Sequence, residues 1–179
     1  MKVLSINAGL PREVQSLART VTTSIFKAPV AGRIAVRRHN IDGDRQSDLS
    51  VHGGADKAVY VYPAEHYAFW RAWLGDEVLP WGAFGENLST EGLLEDTTYI
   101  GDRLQIGSAE FLVTQPRMPC FKLGIRFNRP DIVKHFLQSG RTGFYLSVSR
   151  QGEVGAGDAV TLAQGWRDHF RKRLRELGE

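Results

Sequence analysis

The sequence predicts a mainly β protein, with one domain built as a closed or nearly closed β-barrel and a few helices around it. Many short segments alternate apolar with polar residues, as half-buried strands do. Nineteen glycines punctuate these segments, and few stretches have helical spacing. Closure of the sheet would remove exposed strand edges. A chain of 179 residues is long enough for one domain with a substantial core.

The strands are predicted from runs rich in β-branched and aromatic residues that end at turn-forming residues. In the first half of the chain, they cover residues 2–8, 22–27, 32–38 and 58–62. In the second half, they cover residues 86–89, 102–106, 110–114, 145–149 and 159–162. Gly-Asp pairs that begin at Gly43, Gly101 and Gly157 mark turns, because glycine adopts positive φ and aspartate caps the turn.

Two helices are predicted within the strand-rich part of the chain. In residues 63–75, apolar side chains recur at spacings of three and four, and Gly75 would end the helix. A second helix is predicted over residues 130–138, with Gly140 just beyond its end.

The last part of the chain is predicted to be a separate helix. Apolar residues recur every three or four positions over residues 166–177, which is typical of a helix that packs one face. We therefore divide the chain into a barrel domain, residues 1–164, and a C-terminal helix, residues 165–179. Five basic residues lie between Arg167 and Arg175 without an interleaved aromatic pattern, which favours a solvated helix face over a nucleic-acid site.

The composition excludes several classes of protein. Hydrophobic residues make up 42% of the chain and charged residues 24%, as in ordinary globular proteins. The first residues lack the apolar stretch of a signal peptide, and no run is as long as a membrane helix requires, so we expect a cytoplasmic protein without a membrane partner. The chain also lacks the motifs of dinucleotide-binding folds, phosphate-binding loops and serine hydrolases.

The only cysteine is Cys120, which excludes an intramolecular disulfide and a cysteine-based zinc cage. Arg117 and Lys122 flank it, and cationic neighbours stabilise thiolate over thiol. Pro116 and Pro119 restrict the backbone on its N-terminal side. This pattern predicts a rigid, electropositive loop that presents the sulfur outward. A buried inert thiol, a nucleophile and a single metal ligand all remain open.

Two turns carry further polar residues suited to binding. His52 is followed by Gly53 and Gly54, so the backbone N–H groups there could bind an anion with help from Lys57. The alternative is a hydrogen-bonding surface histidine, and the remaining histidines are scattered singly, which argues against a histidine-rich zinc site. Gly85-Glu86-Asn87 offers a carboxylate and an amide that could hydrogen-bond a heterocycle or simply close a tight turn.

Together these segments resemble the MOSC family, named for the C-terminal domain of molybdenum cofactor sulfurase, and especially its stand-alone bacterial YiiM-like branch. The matching stretches follow the family's order and span about 80 of the 179 residues. They are Gly43-Asp44-Arg45-Gln46 with Asp48, His52-Gly53-Gly54 with Asp56-Lys57-Ala58, Gly85-Glu86-Asn87-Leu88, Ile100-Gly101-Asp102 and Gln115-Pro116-Arg117-x-Pro119-Cys120. The resemblance implies a largely antiparallel, MOSC-type β-barrel with a few peripheral helices.

The resemblance also implies a molybdenum-pterin cofactor whose metal is coordinated by Cys120, which agrees with the preference of soft metals for sulfur. Arg117, Lys57 and the turn His52-Gly53-Gly54 become candidates for the phosphate and the polar edge of the pterin. Asp44 and the residues Gly85-Glu86-Asn87 also match the motifs, and we interpret them as pterin contacts or as supports for such contacts.

The function implied is reduction of small N-hydroxylated compounds such as 6-hydroxylaminopurine. Cys120 would then hold a metal that performs the chemistry, and would not itself attack the substrate. Since the sequence shows no ligand set for flavin, haem or an iron–sulfur cluster, the electrons would come from a separate flavoprotein. The alternatives are a carrier that delivers the cofactor, or sulfur on Cys120, to another protein, and a redox or persulfide cysteine without molybdenum.

One departure from the family concerns the C-terminal region. YiiM-like proteins can carry three helices there, whereas one helix is predicted here. Its apolar face is expected to pack on the barrel or on a second subunit, as in a homodimer.

Overall fold

The computed structural model describes residues 1–16, 19–47, 53–76 and 78–162. The predicted C-terminal helix lies outside these ranges, and so do Asp48 and His52.

Within the described ranges, the chain forms twelve strands, three α-helices and a short 3-10 helix. The strands are β1 (Lys2–Ala8), β2 (Arg12–Ser16), β3 (Arg19–Thr23), β4 (Ala28–Pro29), β5 (Arg33–Val36), β6 (Val59–Pro63), β7 (Leu88–Glu91), β8 (Arg103–Ile106), β9 (Ala109–Pro116), β10 (Phe144–Arg150), β11 (Gly152–Gly155) and β12 (Val160–Leu162). The helices are α1 (His66–Leu74), α2 (Phe121–Phe127) and α3 (Ile132–Gln138), and the 3-10 helix covers Ala55–Lys57.

The main sheet has eight strands in the order β12-β8-β9-β10-β6-β7-β1-β4. Every neighbouring pair is antiparallel except β6 and β7, which are parallel. Two small antiparallel ribbons, β5–β11 and β2–β3, accompany it. The prediction of a mainly β, single-domain fold with few helices is confirmed.

The main sheet is not closed into a barrel, because its order ends at β12 on one side and β4 on the other. Backbone hydrogen bonds nevertheless join the start of β1 to the segment before β12. Val3 N–H donates to the carbonyl of Asp158 at 2.9 Å, and Gly157 N–H donates to the carbonyl of Val3 at 2.8 Å. The sheet is therefore strongly curved, and the closed barrel remains a prediction.

An aliphatic core fills the concave side of this sheet. Val59, Val61, Leu88, Ile106 and Phe111 are all fully buried in it. In strand β8, exposed and buried residues alternate. This is the two-residue period from which the strand is predicted. Strand β6, by contrast, is buried along its whole length because elements pack on both of its faces.

A second, aromatic core joins α1 and α3 to the outside of β6. Trp70 is fully buried and stacks on Phe136, with 5.3 Å between the ring centroids. Its indole N–H donates to the Tyr62 hydroxyl at 2.6 Å, so the polar atom of this large side chain has a partner. Helix α1 ends at Gly75, which adopts the left-handed conformation (φ 68°) expected of a helix C-terminus. None of the described helices is long and apolar enough to cross a membrane.

Several elements differ from the sequence predictions. Residues 24–27 are not a strand, and the β2–β3 ribbon was not predicted because its polar strands carry no apolar face to reveal them. Helix α2 was also not predicted; it contains Gly124, and glycine has a low helix propensity. In the structure, Gly124 allows close packing, because a Cβ there would lie 3.3 Å from the carbonyl oxygen of Arg129.

Candidate functional site

Most of the predicted site residues lie around one pocket of about 110 Å³. It opens between the strand β6, the start of α2 and the loops at residues 23–27, 44–47 and 85–87. Its lining includes Thr23, Ile25, Lys27, Asp44, Lys57, Tyr60, Gly85, Asn87, Arg117, Met118, Cys120, Lys122 and Tyr145. Sequence segments that lie more than a hundred residues apart in the chain, from Thr23 to Tyr145, therefore meet in one place.

Cys120 is half-buried at this pocket and directly precedes α2. Its backbone is extended (φ −128°), and its carbonyl accepts a hydrogen bond from Leu123 N–H at 2.9 Å. The preceding segment is anchored as well, because Arg117 N–H donates to the Gly143 carbonyl at 3.0 Å. The thiol thus lies on a fixed connection between β9 and α2, at the wall of the pocket.

Arg117 is a buried cation beside the cysteine. Its Nη1 donates to the Tyr60 hydroxyl at 3.1 Å, and its guanidinium lies 4.7 Å from the Tyr60 ring centroid and 5.2 Å from that of Phe136. Burial lowers the pKa of Arg117, but the phenol groups of Tyr60 and Tyr145 and the thiol of Cys120 raise it above its usual value. The guanidinium is held by aromatic and hydroxyl groups and keeps its charge.

The two tyrosines at the pocket are neutral partners of that arginine. Burial raises the pKa of both Tyr60 and Tyr145. Their rings are 5.2 Å apart, and the Tyr60 hydroxyl donates to the Thr142 carbonyl at 2.7 Å. Because their hydroxyls stay protonated, they position Arg117 without neutralising it.

A buried ion pair forms another part of the pocket wall. Lys27 Nζ lies 2.5 Å from Asp44 Oδ2, and the two side chains are 9% and 3% exposed. Asp44 also accepts hydrogen bonds from Asn87 Nδ2 at 2.9 Å and from Gly9 N–H at 3.0 Å. Asn87 is itself fixed, since its Oδ1 accepts from Tyr60 N–H at 3.1 Å. Lys27 was not among the predicted site residues, although a lysine inside the run Ile25-Phe26-Lys27-Ala28 is a signal that could have identified it.

Two further lysines face this pocket. Lys122 is buried, and within the described residues it makes no hydrogen bond or ion pair. Lys57 lies at the end of the 3-10 helix and lines the pocket too. Together with Lys27, Arg45 and Arg117 they give five cations around Asp44, the one carboxylate among the described lining residues. The pocket is therefore suited to an anionic ligand.

The glycine turn next to Lys57 lies beside this pocket. Gln46 holds it, because its Oε1 accepts from Gly54 N–H at 3.0 Å and its Nε2 donates to the Lys57 carbonyl at 2.9 Å. Gly54 adopts positive φ (99°), as the sequence pattern requires. Gly53 and Gly54 do not line the pocket of Cys120, and Gly54 instead lines a neighbouring depression with Arg45 and Gln46.

Glu86 is fully buried and does not line the pocket. Its Oε1 accepts hydrogen bonds from the Tyr67 hydroxyl at 2.5 Å, Gly82 N–H at 2.8 Å and the Ser89 hydroxyl at 2.8 Å. Its Oε2 accepts from Phe84 N–H at 3.1 Å. Glu86 thus organises the loop that presents its neighbours Gly85 and Asn87 to the pocket.

The donor set limits the metal sites that this pocket can form. In the part of the chain that the structure describes, no three His, Cys, Asp or Glu residues are grouped closely enough to hold a metal ion. Cys120 is thus a single sulfur donor, surrounded by cations. This arrangement is suited to a metal that already carries most of its ligands on an anionic organic group.

Comparisons with known proteins identify the family of this chain. Residues 48–161 match the MOSC domain family. YflK of Bacillus subtilis, named as an uncharacterized protein, is 44% identical over 160 residues, which cover 89% of this chain and 72% of YflK. The crystal structure of YiiM from Geobacillus stearothermophilus aligns with a TM-score of 0.75 and 37% identity, covering 91% of this chain and 75% of that one.

A third relative, from Gibberella moniliformis, is named "Reductase". It is 33% identical over 165 residues, which cover 90% of this chain but only 29% of that protein. The family match covers residues 48–161, and YflK and the YiiM structure match 89% and 91% of this chain. The chain therefore belongs to the MOSC domain family, in its YiiM-like branch.

Proposed function

We propose that this protein binds a molybdenum-pterin cofactor through Cys120 and reduces small N-hydroxylated compounds. The observation that carries the proposal is the grouping of one thiol with five cations and, among the described residues, a single carboxylate at one pocket. The MOSC domain match supports a function related to the molybdenum cofactor. The relative named "Reductase" supports an oxidoreductase, although this chain spans only 29% of it.

The residues present fit such a cofactor. Thiolate sulfur is a ligand that a soft metal prefers, and a pterin dithiolene would supply further ligands that the protein lacks. Arg117 and Lys122 are buried at the pocket without an ion-pair partner among the described residues. We assign them, with Lys57, to the phosphate and polar edge of the cofactor. Asp44, Asn87 and the loop around Gly85 and Glu86 would support these contacts, and Gly53 and Gly54 would approach the cofactor from the turn beside the pocket. His52, which lies outside the described residues, stays a predicted contact.

The proposed reaction is R–NH–OH + 2 e⁻ + 2 H⁺ → R–NH₂ + H₂O. The N–O bond breaks, the nitrogen is reduced and the oxygen leaves as water. The bound metal supplies the two-electron chemistry, and a separate flavoprotein supplies the electrons. The amino group of Lys27 would hold a proton at a buried position of the pocket wall, where Asp44 Oδ2 fixes that amino group. Arg117, whose pKa is raised, is suited to orient an anionic group and not to release a proton.

The main alternative is a carrier that delivers the cofactor, or sulfur on Cys120, to another protein. The half-buried position of Cys120 beside cations is compatible with a persulfide as well as a metal thiolate. Only turnover separates these functions, since both require Cys120.

The test is an activity assay on molybdenum-loaded protein with a flavoprotein reductant and 6-hydroxylaminopurine. We expect adenine to form in wild-type protein and not in Cys120→Ser. Arg129→Gln is the matched control, because Arg129 is paired with Asp131 on the surface and does not line the pocket. Full molybdenum loading without turnover, over a panel of hydroxylamines and amidoximes, would establish the carrier instead.

A further inference from the structure

Two arginines from different elements lie against the same aromatic ring. The guanidinium carbon of Arg12, in β2, is 3.5 Å from the ring centroid of Phe26. That of Arg126, in α2, is 5.3 Å from the same centroid and 5.9 Å from the centroid of Phe127. Two positive charges are thus held close together by one side chain.

No carboxylate neutralises these two charges within the described residues, where neither arginine forms an ion pair. Nε of Arg126 is buried and has no hydrogen-bond partner. Burial and then the positive charge of Arg12 lower the pKa of Arg126, while the charge of Glu86 acts in the opposite direction. Glu86 already accepts four hydrogen bonds from other groups, so it is committed elsewhere.

The two arginines belong to elements that border the Cys120 pocket, although neither side chain lines it. Arg12 is directly opposite Thr23 in the β2–β3 ribbon, so the two side chains share a face, and Thr23 lines the pocket. Phe26 lies in the chain between two other lining residues, Ile25 and Lys27. Arg126 belongs to the helix that begins directly after Cys120.

Arginine binds phosphate well because its planar donors match two phosphate oxygens at once. A phosphate monoester bound beside Arg12 and Arg126 would relieve the mutual repulsion of their charges. Among the cations that line the pocket itself, Lys57, Arg117 and Lys122 are assigned to the cofactor. The two peripheral arginines are therefore available for the part of a substrate that extends out of the pocket.

We propose that Arg12 and Arg126 bind the phosphate monoester of the substrate, so that the preferred substrate is an N-hydroxylated nucleotide and not the free base. This inference rests on the proposed reductase function, whose site it extends.

The kinetic test compares 6-hydroxylaminopurine with its ribonucleoside 5′-monophosphate in molybdenum-loaded protein. Wild-type protein is expected to have the lower KM for the monophosphate. Arg12→Gln and Arg126→Gln should each raise that KM roughly tenfold, as the loss of a charge-assisted contact does, and leave kcat and the KM for the free base nearly unchanged. Arg12→Lys, which keeps the charge but not the planar donors, should lie in between. Arg129→Gln removes the same charge from an arginine that stacks on Trp73 and pairs with Asp131, so it should match wild type.

A binding measurement keeps this inference separate from the reductase proposal. Calorimetric titration with AMP, the product of the nucleotide reaction, requires no turnover, and binding should weaken roughly tenfold in Arg12→Gln. Arg12 is exposed, so this variant avoids the risk that Arg126→Gln fails to fold. Failure of turnover with intact, arginine-dependent AMP binding would contradict the reductase and leave the phosphate site standing. Equal affinity of all variants for AMP, or loss of molybdenum from the arginine variants, would overturn the substrate site.

Discussion

Lys27 Nζ lies 2.5 Å from Asp44 Oδ2, at a position where both side chains are almost completely buried. Burial lowers the pKa of Lys27, and the carboxylate of Asp44 opposes that shift. The pair connects the loop at residues 23–27, which carries Lys27, to Asn87 and to the backbone of Gly9. A motif residue, Asp44, therefore acts through a lysine that lies seventeen positions earlier in the chain.

Asp44→Asn should destabilise the protein, because it leaves Lys27 buried without an anionic partner. Removal of one member of a buried pair costs about 3–5 kcal/mol, and urea denaturation would measure the change. Asp42→Asn is the control, since Asp42 forms a similar pair with Arg37 on the surface, where solvent screens it. Equal stability of the two variants would show that the buried pair does not hold the site together.

Glu86→Gln should also lower the free energy of unfolding. The two carboxylate oxygens of Glu86 accept hydrogen bonds from four donors. The amide nitrogen of glutamine cannot accept a hydrogen bond, so it would face at least one of these donors. An unmatched buried donor costs about 1–3 kcal/mol. Denaturant titration of this variant beside Glu91→Gln, whose carboxylate is exposed next to Lys2, measures the difference. A Glu86→Gln protein as stable as the control would contradict a role for Glu86 in organising the loop.

Gly85→Ala tests the close approach of the loop to Ile25. Gly85 has φ of 81°, and a Cβ there would lie 2.9 Å from Cγ1 of Ile25. Gly75 has a similar φ of 68° but open space where a Cβ would be, so Gly75→Ala isolates the backbone cost of a left-handed residue, about 1–2 kcal/mol. Gly85→Ala should lower the melting temperature further than Gly75→Ala does. The same shift in both would mean that Ile25 moves aside without cost.

Acid should remove a contribution from Glu95 to stability. Glu95 Oε2 lies 2.8 Å from His66 Nε2, and Oε1 accepts from Gly143 N–H at 2.7 Å. Burial raises the pKa of Glu95, but the hydrogen bond and charge of His66 and the Gly143 N–H outweigh it, so the pKa in the folded protein is below 4.5. The folded state then binds a proton less readily than the unfolded state, and the contribution is present above pH 4.5 and lost as the pH falls through the lowered pKa.

The measurement for Glu95 is the free energy of unfolding of wild-type protein and Glu95→Gln at a series of pH values. The advantage of wild type over the variant should shrink as the pH falls below 4.5. An advantage that stays constant over that range would show that Glu95 does not have a lowered pKa in the folded state.

The strongly patterned elements of this fold could be predicted from the sequence, because their residues alone determine their period. Strand β8 and helix α1 are examples, and in α1 the buried positions Tyr67 and Trp70 follow from spacing. The α2 helix could not be predicted in this way. It contains Gly124, which lies against the backbone of Arg129 where the chain turns after the helix, and Arg129 N–H donates to the Gly124 carbonyl at 2.9 Å. The curvature of the sheet likewise depends on hydrogen bonds between Val3 and residues more than 150 positions away.

The candidate site shows the same division. Arg117, Cys120 and Lys57 could be identified because their neighbours in sequence are unusual for a packed strand. Lys27 could not, because its role comes from a contact with Asp44 that only the folded chain creates. Glu86 was identified as a motif residue, but its burial below the loop could not be seen in the sequence.

Lys122 offers a test that separates stability from binding. It is buried and makes no hydrogen bond or ion pair with the described residues. Lys122→Met, which keeps the length of the side chain, should therefore leave the melting temperature unchanged or raise it, while the variant purifies with less molybdenum. A large loss of stability with full molybdenum content would assign Lys122 to the fold and not to the cofactor.

The most direct test of the central claim is the molybdenum content of wild-type protein and Cys120→Ser, both purified from a host that makes the cofactor. Thermal unfolding of each protein provides the control for folding. We expect wild type to contain molybdenum and pterin and the folded Cys120→Ser variant to have lost the metal. Metal-free wild-type protein from a cofactor-sufficient host, or equal molybdenum in the two proteins, would contradict Cys120 as the ligand.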